Sequence, residues 1–242
     1  MRGILPKVAS ITLVAAAMTL AGCQNDKAGT TPPAGPAAPT GNGVAALTAD
    51  EILQRATGAL KAAKAYHAEG DIDLDGQPTG IDLTVDGENF TASLTSGKAK
   101  VDLLDVDGKR YMRPNEQFWA TAMDAPKAKL LAKVIGDRWV TAAEGDQSFA
   151  ELFSIGSAEE FLKPTGTLTK GTEKQIGGVP AIALEDQQAT LYIATTGEPY
   201  PLRIGGKDGA SQVLFSDFNA PAKPIEPPAP AQVIDLGALS GK

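Results

Sequence analysis

The sequence predicts an α+β domain built on an antiparallel sheet of about ten strands. An amphipathic helix opens the domain, and five short strands of alternating polarity follow it. A helical segment then separates these strands from about five more. Turns of the Asp-Gly and Gly-Gly type join neighbouring strands, which is typical of an antiparallel meander. This order, helices grouped apart from an antiparallel sheet, indicates the α+β class.

The opening helix is predicted to begin after Thr48. Thr48-Ala49-Asp50-Glu51 has the pattern of a capping box, in which threonine and glutamate side chains bind each other's backbone N–H groups. Leu53, Ala56 and Leu60 then recur at helical spacing, so one stripe of the helix is expected to be buried.

The period of the hydrophobic pattern then changes from 3.6 to 2. Residues 66–75 alternate apolar and polar side chains, so one face of this strand is expected to be buried and the other wet. Four more strands are predicted at 81–86, 90–95, 99–103 and 109–113. The pair Leu103-Leu104 interrupts the alternation, which indicates a β-bulge.

The middle of the chain is predicted to be helical. Asp124 is expected to cap a helix with Pro126 in its first turn and Gly136 at its end. A helical turn is expected at 149–153, and a second capping box at Ser157 opens a brief helix. The later strands are predicted at 167–175, 179–185, 189–194, 200–204 and 212–218. Residues 221–230 are proline-rich and extended, and Val233, Ile234 and Leu236 form a last edge strand or are loose.

Residues 1–22 have the layout of a secretory signal peptide. Arg2 and Lys7 precede an uncharged apolar run that is shorter than the ~20 residues of a bilayer span. Leu20-Ala21-Gly22-Cys23 resembles the lipobox of bacterial lipoproteins, which implies a diacylglyceryl thioether on Cys23 and cleavage before it. An ordinary signal peptide with a chance cysteine is the less favoured alternative, because Cys23 is the only cysteine and lies where the pattern requires it.

The sequence therefore divides into three parts. Residues 23–46 are predicted to hold the lipidated N-terminus and a disordered tether, because this Pro/Gly-rich stretch has too little apolar surface to fold. Residues 47–242 are predicted to form the folded domain with its proline-rich tail.

Composition excludes several functions. The chain has 242 residues and a formal net charge of −7, which argues against nucleic-acid binding. It has one histidine, His67, so a multi-histidine metal site is impossible and a Ser-His-Asp site is not favoured. We expect no enzyme activity and no cofactor.

One acidic stretch resembles a calcium-binding loop. Asp71, Asp73 and Asp75 lie at alternate positions, and Asp82 is at the twelfth position of the loop pattern. However, Pro78 interrupts the loop and strands flank it, so a strand with aspartates on its wet face is the favoured interpretation.

The order of elements behind a lipobox and tether resembles the LolA-like fold. More closely, it is similar to the actinobacterial envelope lipoproteins of the LppX, LprG, LprA and LprF type. The matching stretches are 48–64, 66–113, 124–161 and the hairpin TLYIATTGEPYPLRI at 190–204. The resemblance implies that the sheet is a curved half-barrel, that helices cover its concave face, and that a hydrophobic cavity between them holds acyl chains.

The function that the resemblance implies is binding of lipid or lipoglycan acyl chains and their transport across the cell envelope. Small residues on strand faces also leave room for a cavity: Ala68, Gly70, Ala92, Ala99, Ala181 and Ala183. The residues expected to line it are Leu53, Leu60, Ile72, Leu74, Leu83, Val85, Leu94, Val101, Leu130, Leu131 and Val134. They would equally suit the core of a closed domain.

The expected partners are a lipid or glycolipid, the membrane that holds the N-terminal anchor, and an envelope transporter or partner protein. The expected location is the outer, extracytoplasmic face of the cell membrane. Lys98, Lys100, Lys109 and Arg110 cluster on one hairpin, where they touch lipid phosphates or, as the favoured interpretation, form a solvated face. The alternative function is an envelope sensor or scaffold module that binds a protein partner.

Overall fold

A computed structural model describes residues 41–74, 76–141, 147–207, 209, 211–221 and 223–239, without the side chains of Leu74, Ser148 and Leu239. The predicted signal peptide, Cys23 and most of the predicted tether lie outside these residues.

Within the described ranges, no helix combines the length and the apolar character that a membrane crossing requires.

The described chain contains twelve β-strands and six short α-helices. The strands are β1 (Ala65–Leu74), β2 (Gln77–Asp86), β3 (Asn89–Ser96), β4 (Ala99–Val106), β5 (Lys109–Pro114), β6 (Trp139–Thr141), β7 (Thr169–Ile176), β8 (Val179–Glu185), β9 (Ala189–Ala194), β10 (Pro201–Gly206), β11 (Gln212–Ser216) and β12 (Val233–Asp235). The helices are α1 (Ala49–Ala62), α2 (Glu116–Ala122), α3 (Ala125–Ile135), α4 (Gln147–Leu152), α5 (Ala158–Phe161) and α6 (Leu236–Leu239).

All twelve strands belong to one open sheet, in the order β12-β6-β5-β4-β3-β2-β1-β11-β10-β9-β8-β7. The first five strands form one meander and β7 to β11 another. The antiparallel pair of β1 and β11 joins the two, with Gly70 opposite Val213. The predicted α+β class and antiparallel sheet are confirmed.

Two strands exceed the ten that were predicted. Strand β6 follows α3 and pairs with β5 through Met112 and Val140. Strand β12 pairs in parallel with β6, so the end of the tail is an edge strand and not loose. A three-residue strand has too few positions to show an alternating pattern, which is why β6 was not predicted and β12 was only one of two alternatives.

Helix α1 begins as the capping pattern predicts. The Thr48 backbone N–H donates to Glu51 Oε2 at 2.9 Å, and the Glu51 N–H donates to Thr48 Oγ1 at 3.4 Å. The helix buries Ile52, Ala56 and Leu60 against the sheet. The predicted start is confirmed, and Ala56 and Leu60 of the predicted stripe are buried, whereas Leu53 is half-buried.

The helical segment in the middle contains one more helix than predicted. Helix α3 has the predicted Asp124 cap, whose side chain accepts from the Lys127 N–H at 3.0 Å, and ends before Gly136. Helix α2 was missed. Its cap, Asn115, accepts from the Phe118 N–H at 2.8 Å and also ties the helix to the start of β4 through Lys100.

The sheet has apolar clusters on both faces. The main core lies on the face that the helices cover and includes the fully buried Leu83, Leu103 and Ile193. A second cluster on the other face contains Leu104, Val106 and Tyr111, with Trp139 and with Ile225 and Val233 of the tail.

This second cluster explains why the alternation fails at Leu103-Leu104. The register of β3 and β4 is unbroken there, with Ala92 opposite Leu103 and Thr91 opposite Leu104. The predicted β-bulge is therefore wrong. Both side chains are apolar because the proline-rich tail covers the face opposite the helices.

Two of the small residues expected beneath the helices lie on the opposite face. Ala181 and Ala183 pack against Tyr192 in a third cluster, while Ile182 and Leu184 of the same strand face the helices. Ala68 and Ala92 lie in the main core as expected. The expectation for Ala181 and Ala183 is wrong, because alternate residues of β8 face opposite sides of the sheet and these two face away from the helices.

The ionisation of Tyr66 reports on how well the main core excludes water. Its side chain is 4% exposed, and its ring lies 6.5 Å from the rings of Phe215 and Phe218. Burial raises the pKa of Tyr66 to about 12 from its ordinary value of about 10.

We therefore expect one tyrosine to ionise with a midpoint near pH 12 in the folded protein. Because the unfolded chain loses this proton near pH 10 and the folded chain does not, the stabilising contribution is complete below about pH 10 and is lost as the pH rises to about 12. Phenolate absorbance during an alkaline titration measures the midpoint. The step should vanish in Tyr66→Phe, and its persistence in that variant would contradict the assignment.

Candidate functional site

A groove opens on the helix-covered face at the end of the sheet where β1 and β10 finish and β11 begins. It has a volume of about 430 Å³. Its floor is apolar and is formed by Ile72, Ile204 and Val213, one residue from each strand. These three belong to the main core or pack against it, so the groove is the point where this core meets solvent.

The groove has a polar rim. The side chains around its mouth include Asp71, Asp73, Gln188 and Lys207. The Lys207 ammonium group pairs with Glu185 Oε2 at 2.7 Å. The lysine charge is therefore shared with a carboxylate, and carboxylates outnumber cations at the mouth. The rim consequently offers mainly hydrogen-bond acceptors.

A smaller cavity of about 60 Å³, the inner cavity, lies beside the groove between the sheet and helices α1 and α5, and the exposed Lys163 and half-buried Asp186 also line it. Leu53 of α1, Phe161 of α5 and Leu184 and Leu191 of the sheet are among its walls. The groove and this inner cavity share Ala189 and Ile204 as wall residues. The two spaces are therefore adjacent, with these side chains between them.

The groove has the character of a ligand site. Its volume falls within the ~300–1,000 Å³ that is usual for small-molecule pockets, whereas the inner cavity alone is too small. An apolar floor beneath a polar rim suits a molecule with one apolar end and one polar end.

A third and larger space lies on the opposite face of the sheet. It has a volume of about 630 Å³ and is enclosed by the proline-rich tail, with Leu104, Trp139 and Ile225 in its walls. Its walls also carry Thr84, Thr91, Asp217, Lys223 and Glu226. This space shares no described wall residue with the inner cavity, whereas the groove adjoins that cavity, so the groove is the stronger candidate for an acyl chain that extends beneath the helices.

The predicted cavity residues fall into three groups in the structure: those that line the groove or the inner cavity, those in or against the main core, and those exposed to solvent. Ile72 lines the groove and Leu53 lines the inner cavity. Leu60, Leu83, Val85 and Val101 are buried in the main core, and Leu94 and Leu131 pack against it half-buried. The side chain of Leu74 lies outside the described residues.

The expectation for Leu130 and Val134 is wrong, because residues that are 64% and 48% exposed cannot line an enclosed cavity. Helix α3 packs through the smaller Ala128 and through Ile135, which are both buried. With these two residues facing the protein, the orientation of α3 about its axis places Leu130 and Val134 on the solvent side.

Sequence reasoning missed the groove residues of the second half of the sheet, Ala189, Ile204 and Val213. These apolar residues lie within the predicted strands at 189–194, 200–204 and 212–218, whose alternation indicates which side chains share a face. What the pattern could not show is which end of these strands the helices leave uncovered.

The calcium-loop pattern gains no support from the described residues. Among them, no three His, Cys, Asp or Glu side chains lie close enough to share a metal ion. The Asp82 Oδ1 instead lies 3.0 Å from His67 Nε2 across β1 and β2. Asp75, the third aspartate of the pattern, lies outside the described residues.

The basic hairpin is partly neutralised by aspartates. Lys100 pairs with Asp102 at 3.1 Å, and Arg110 pairs with Asp105 at 3.0 Å. Burial opposes ionisation of Asp102, but hydrogen bonds from Lys100 and Arg113 outweigh it and hold the pKa of Asp102 below its ordinary value. This pairing leaves less charge for lipid phosphates, in agreement with the solvated-face interpretation.

Comparison with known proteins finds similar solved structures. LprF from Mycobacterium bovis is 15% identical over 75% of this chain and 97% of its own, with a TM-score of 0.44. The lipoprotein LppX from Mycobacterium tuberculosis is 15% identical over 73% of this chain and 99% of its own, with a TM-score of 0.45. An uncharacterized conserved protein from Thermus thermophilus has a TM-score of 0.37 at 15% identity, over 77% of this chain and 98% of its own.

No protein-family model matches the chain, and no curated protein sequence matches it. The resemblance predicted from the sequence is confirmed to this extent: solved structures of LprF and LppX are among those similar to this chain.

Proposed function

We propose that the protein is a membrane-anchored lipoprotein that binds an acyl chain of a lipid or glycolipid in the groove and assists its transport across the cell envelope. The observation that carries this proposal is the groove itself, whose apolar floor includes Ile72 and Ile204 and which adjoins the inner cavity lined by Leu53. No catalytic step is part of the proposal, because shielding the chain from water is sufficient.

Burial of the acyl chain supplies the binding free energy. Each CH₂ group moved from water onto the apolar floor contributes ~0.8 kcal/mol. The floor residue Val213 is fully buried, and Ile72 and Ile204 are half-buried. Ile72 and Ile204 therefore expose apolar surface that a ligand in the groove would cover while it buries its own, whereas Val213 exposes none.

The rim favours a headgroup that donates hydrogen bonds. Asp71, Asp73 and Gln188 supply acceptor oxygens, and Lys207 is already paired with Glu185. Hydroxyl groups of a sugar or glycerol headgroup can donate to these oxygens. A bare phosphate would meet an excess of carboxylate charge instead.

A long acyl chain requires helix α5 to move, because the inner cavity is only about 60 Å³. This four-residue helix is held by Phe161, whose ring contacts that of Phe215 at 5.4 Å, and by an ion pair of Glu159 with Lys61 of α1. Both Lys61 and Glu159 are about half exposed, so the ion pair contributes little to stability. Displacement of α5 would therefore break no strong ion pair.

The anchor places this site at the membrane. The predicted thioether lipid on Cys23 would hold the protein at the outer, extracytoplasmic face of the cell membrane, where an envelope transporter or another partner could supply or receive the lipid.

Ile204→Trp is expected to abolish co-purification of lipid. The indole ring would fill the groove at the wall that it shares with the inner cavity. Native mass spectrometry of residues 24–242, which contain the whole described fold, measures the fraction of protein that carries lipid. Leu214→Trp is the matched control, because Leu214 lies on the next strand and is 40% exposed.

Lipid retained by Ile204→Trp at the wild-type level would place the ligand elsewhere and contradict the proposal. A wild-type protein that is always empty would favour the second candidate function, an envelope sensor or scaffold module. The closed core around Leu60, Leu83 and Val101 is the observation that favours this alternative. A protein partner captured by the empty wild type would support it.

A further inference from the structure

Helix α3 presents an apolar pair to solvent. Leu130 and Val134 are 64% and 48% exposed and lie one helical turn apart. Among the described residues, the only other large apolar side chain exposed to this degree is Leu214, on a different element. Single exposed apolar residues need no explanation, but two neighbouring ones on one helix face form a patch.

Lysines surround this patch. Helix α3 carries Lys127, Lys129 and Lys133 and no acidic residue, although the whole chain has a net charge of −7. Lys127 pairs with the capping residue Asp124 at 2.8 Å, but both side chains are exposed, so water screens this pair and the lysine remains accessible. At 100° per residue, Lys127 and Lys133 lie on the two sides of the Leu130–Val134 stripe. An apolar stripe flanked by lysines is the arrangement of helices that lie flat in a membrane interface.

The patch lies at the same end of the sheet as the groove mouth. Helix α2 begins where β5 ends, and its cap Asn115 binds Lys98 and Lys100 at the turn between β3 and β4. In an antiparallel sheet this turn is at the same end as the last residues of β1, where Asp73 lies on the groove rim. Helix α3 packs against α2 and therefore belongs to this end.

We propose that the face of α3 formed by Leu130, Val134, Lys127 and Lys133 docks on the anionic surface of a lipid bilayer and so turns the groove mouth toward the membrane. This inference rests on the proposed function, because the purpose of docking would be to shorten the path of a lipid between the bilayer and the groove.

The length of the predicted tether permits this orientation. The described chain begins at Gly41, which pairs with Thr196 at the opposite end of the sheet. The residues from Cys23 to Gly41 reach at most about 60 Å when fully extended. A ten-residue strand such as β1 is about 33 Å long. An anchor on Cys23 therefore does not prevent the far end of the sheet from facing the bilayer.

Vesicle binding of residues 24–242 tests the docking without an acyl anchor. The probes are vesicles of phosphatidylcholine alone and of equal parts phosphatidylcholine and phosphatidylglycerol. We expect binding to the anionic vesicles that weakens when salt is raised from ~0.1 M to ~1 M, because the Debye length falls from ~10 Å to ~3 Å.

Two double variants separate the apolar and the charged contribution. Leu130→Ser with Val134→Ser removes the apolar stripe, and Lys127→Gln with Lys133→Gln removes two charges. Each is expected to lower the vesicle partition constant roughly tenfold or more. The matched controls are Leu214→Ser and the pair Lys109→Gln with Lys223→Gln, which are expected to bind as the wild type does. Circular dichroism melting confirms that each variant is folded.

Equal binding to both vesicle types, equal losses in the test and control variants, or no binding at all would overturn the proposal. A dimer of the wild type that Leu130→Ser with Val134→Ser dissociates would overturn it as well, because the patch would then be a protein interface. Native mass spectrometry of the same samples keeps the two proposals apart: lipid in the groove of a protein that ignores vesicles refutes docking and leaves lipid binding intact.

Discussion

Cys23→Ala is expected to move the protein from the membrane fraction to the soluble fraction. Without the cysteine sulfur, no thioether lipid can form at the predicted lipobox. Two acyl chains anchor a protein stably because each buried CH₂ contributes ~0.8 kcal/mol, whereas a single chain is marginal. The membrane-binding free energy lost with the anchor should therefore exceed the free energy of every contact between the folded domain and the bilayer. Fractionation of cells after a high-salt wash measures the effect.

The high-salt wash matters because docking through α3 would be electrostatic and is removed by salt. Ser10→Ala, which lies in the predicted leader and leaves the lipobox intact, is the matched control and should remain in the membrane fraction. Cys23→Ala protein that resists the wash after its leader has been removed would show that the lipid anchor is not what holds the chain.

Gly70→Ala is expected to lower the free energy of unfolding by about 3 kcal/mol or more, which is large for a single methyl group. Gly70 has φ of +148°, a conformation that residues with a side chain rarely adopt. A Cβ atom there would overlap the Gln212 carbonyl oxygen and would lie 2.9 Å from the Gln212 carbonyl carbon and Val213 Cα. These are backbone atoms of β11, so relief requires the two halves of the sheet to separate.

Gly58→Ala is the matched control for Gly70→Ala. Gly58 lies in α1, and apart from its neighbours and the backbone of its own helix no atom lies within 4 Å of where its Cβ would be. Alanine should therefore stabilise the helix by up to ~1 kcal/mol. Urea unfolding followed by circular dichroism measures both variants. A Gly70→Ala protein as stable as the wild type would mean that the contact between β1 and β11 is not as close as described.

Local patterns predicted the elements well. The reciprocal Thr48 and Glu51 bonds, the Asp124 cap and the alternating strands all depend on residues near one another in sequence, so the sequence alone reveals them. The pairing of β1 with β11 depends on distant residues and was not predictable. Leu104 was misinterpreted for the same reason, because the tail that covers it comes more than a hundred residues later.

The candidate site was predicted only in part. Leu53 and Ile72 were assigned to the cavity, and the structure places them on its walls. Ile204 and Val213 were missed, and Leu130 was misplaced, because size and hydrophobicity alone do not fix the rotation of a helix. Helix α3 buries Ala128 where a larger side chain was expected to be buried.

The junction of β1 with β11 has a consequence for how the chain matures. Strand β1 forms the middle of the sheet, but its second neighbour is supplied by Gln212–Ser216, close to the end of the chain. A growing polypeptide therefore cannot complete its central ladder until β11 has been synthesised, and such non-local pairing is slow. For a chain exported unfolded, as the predicted leader implies, this topology would leave the central ladder open until β11 has emerged from the translocon.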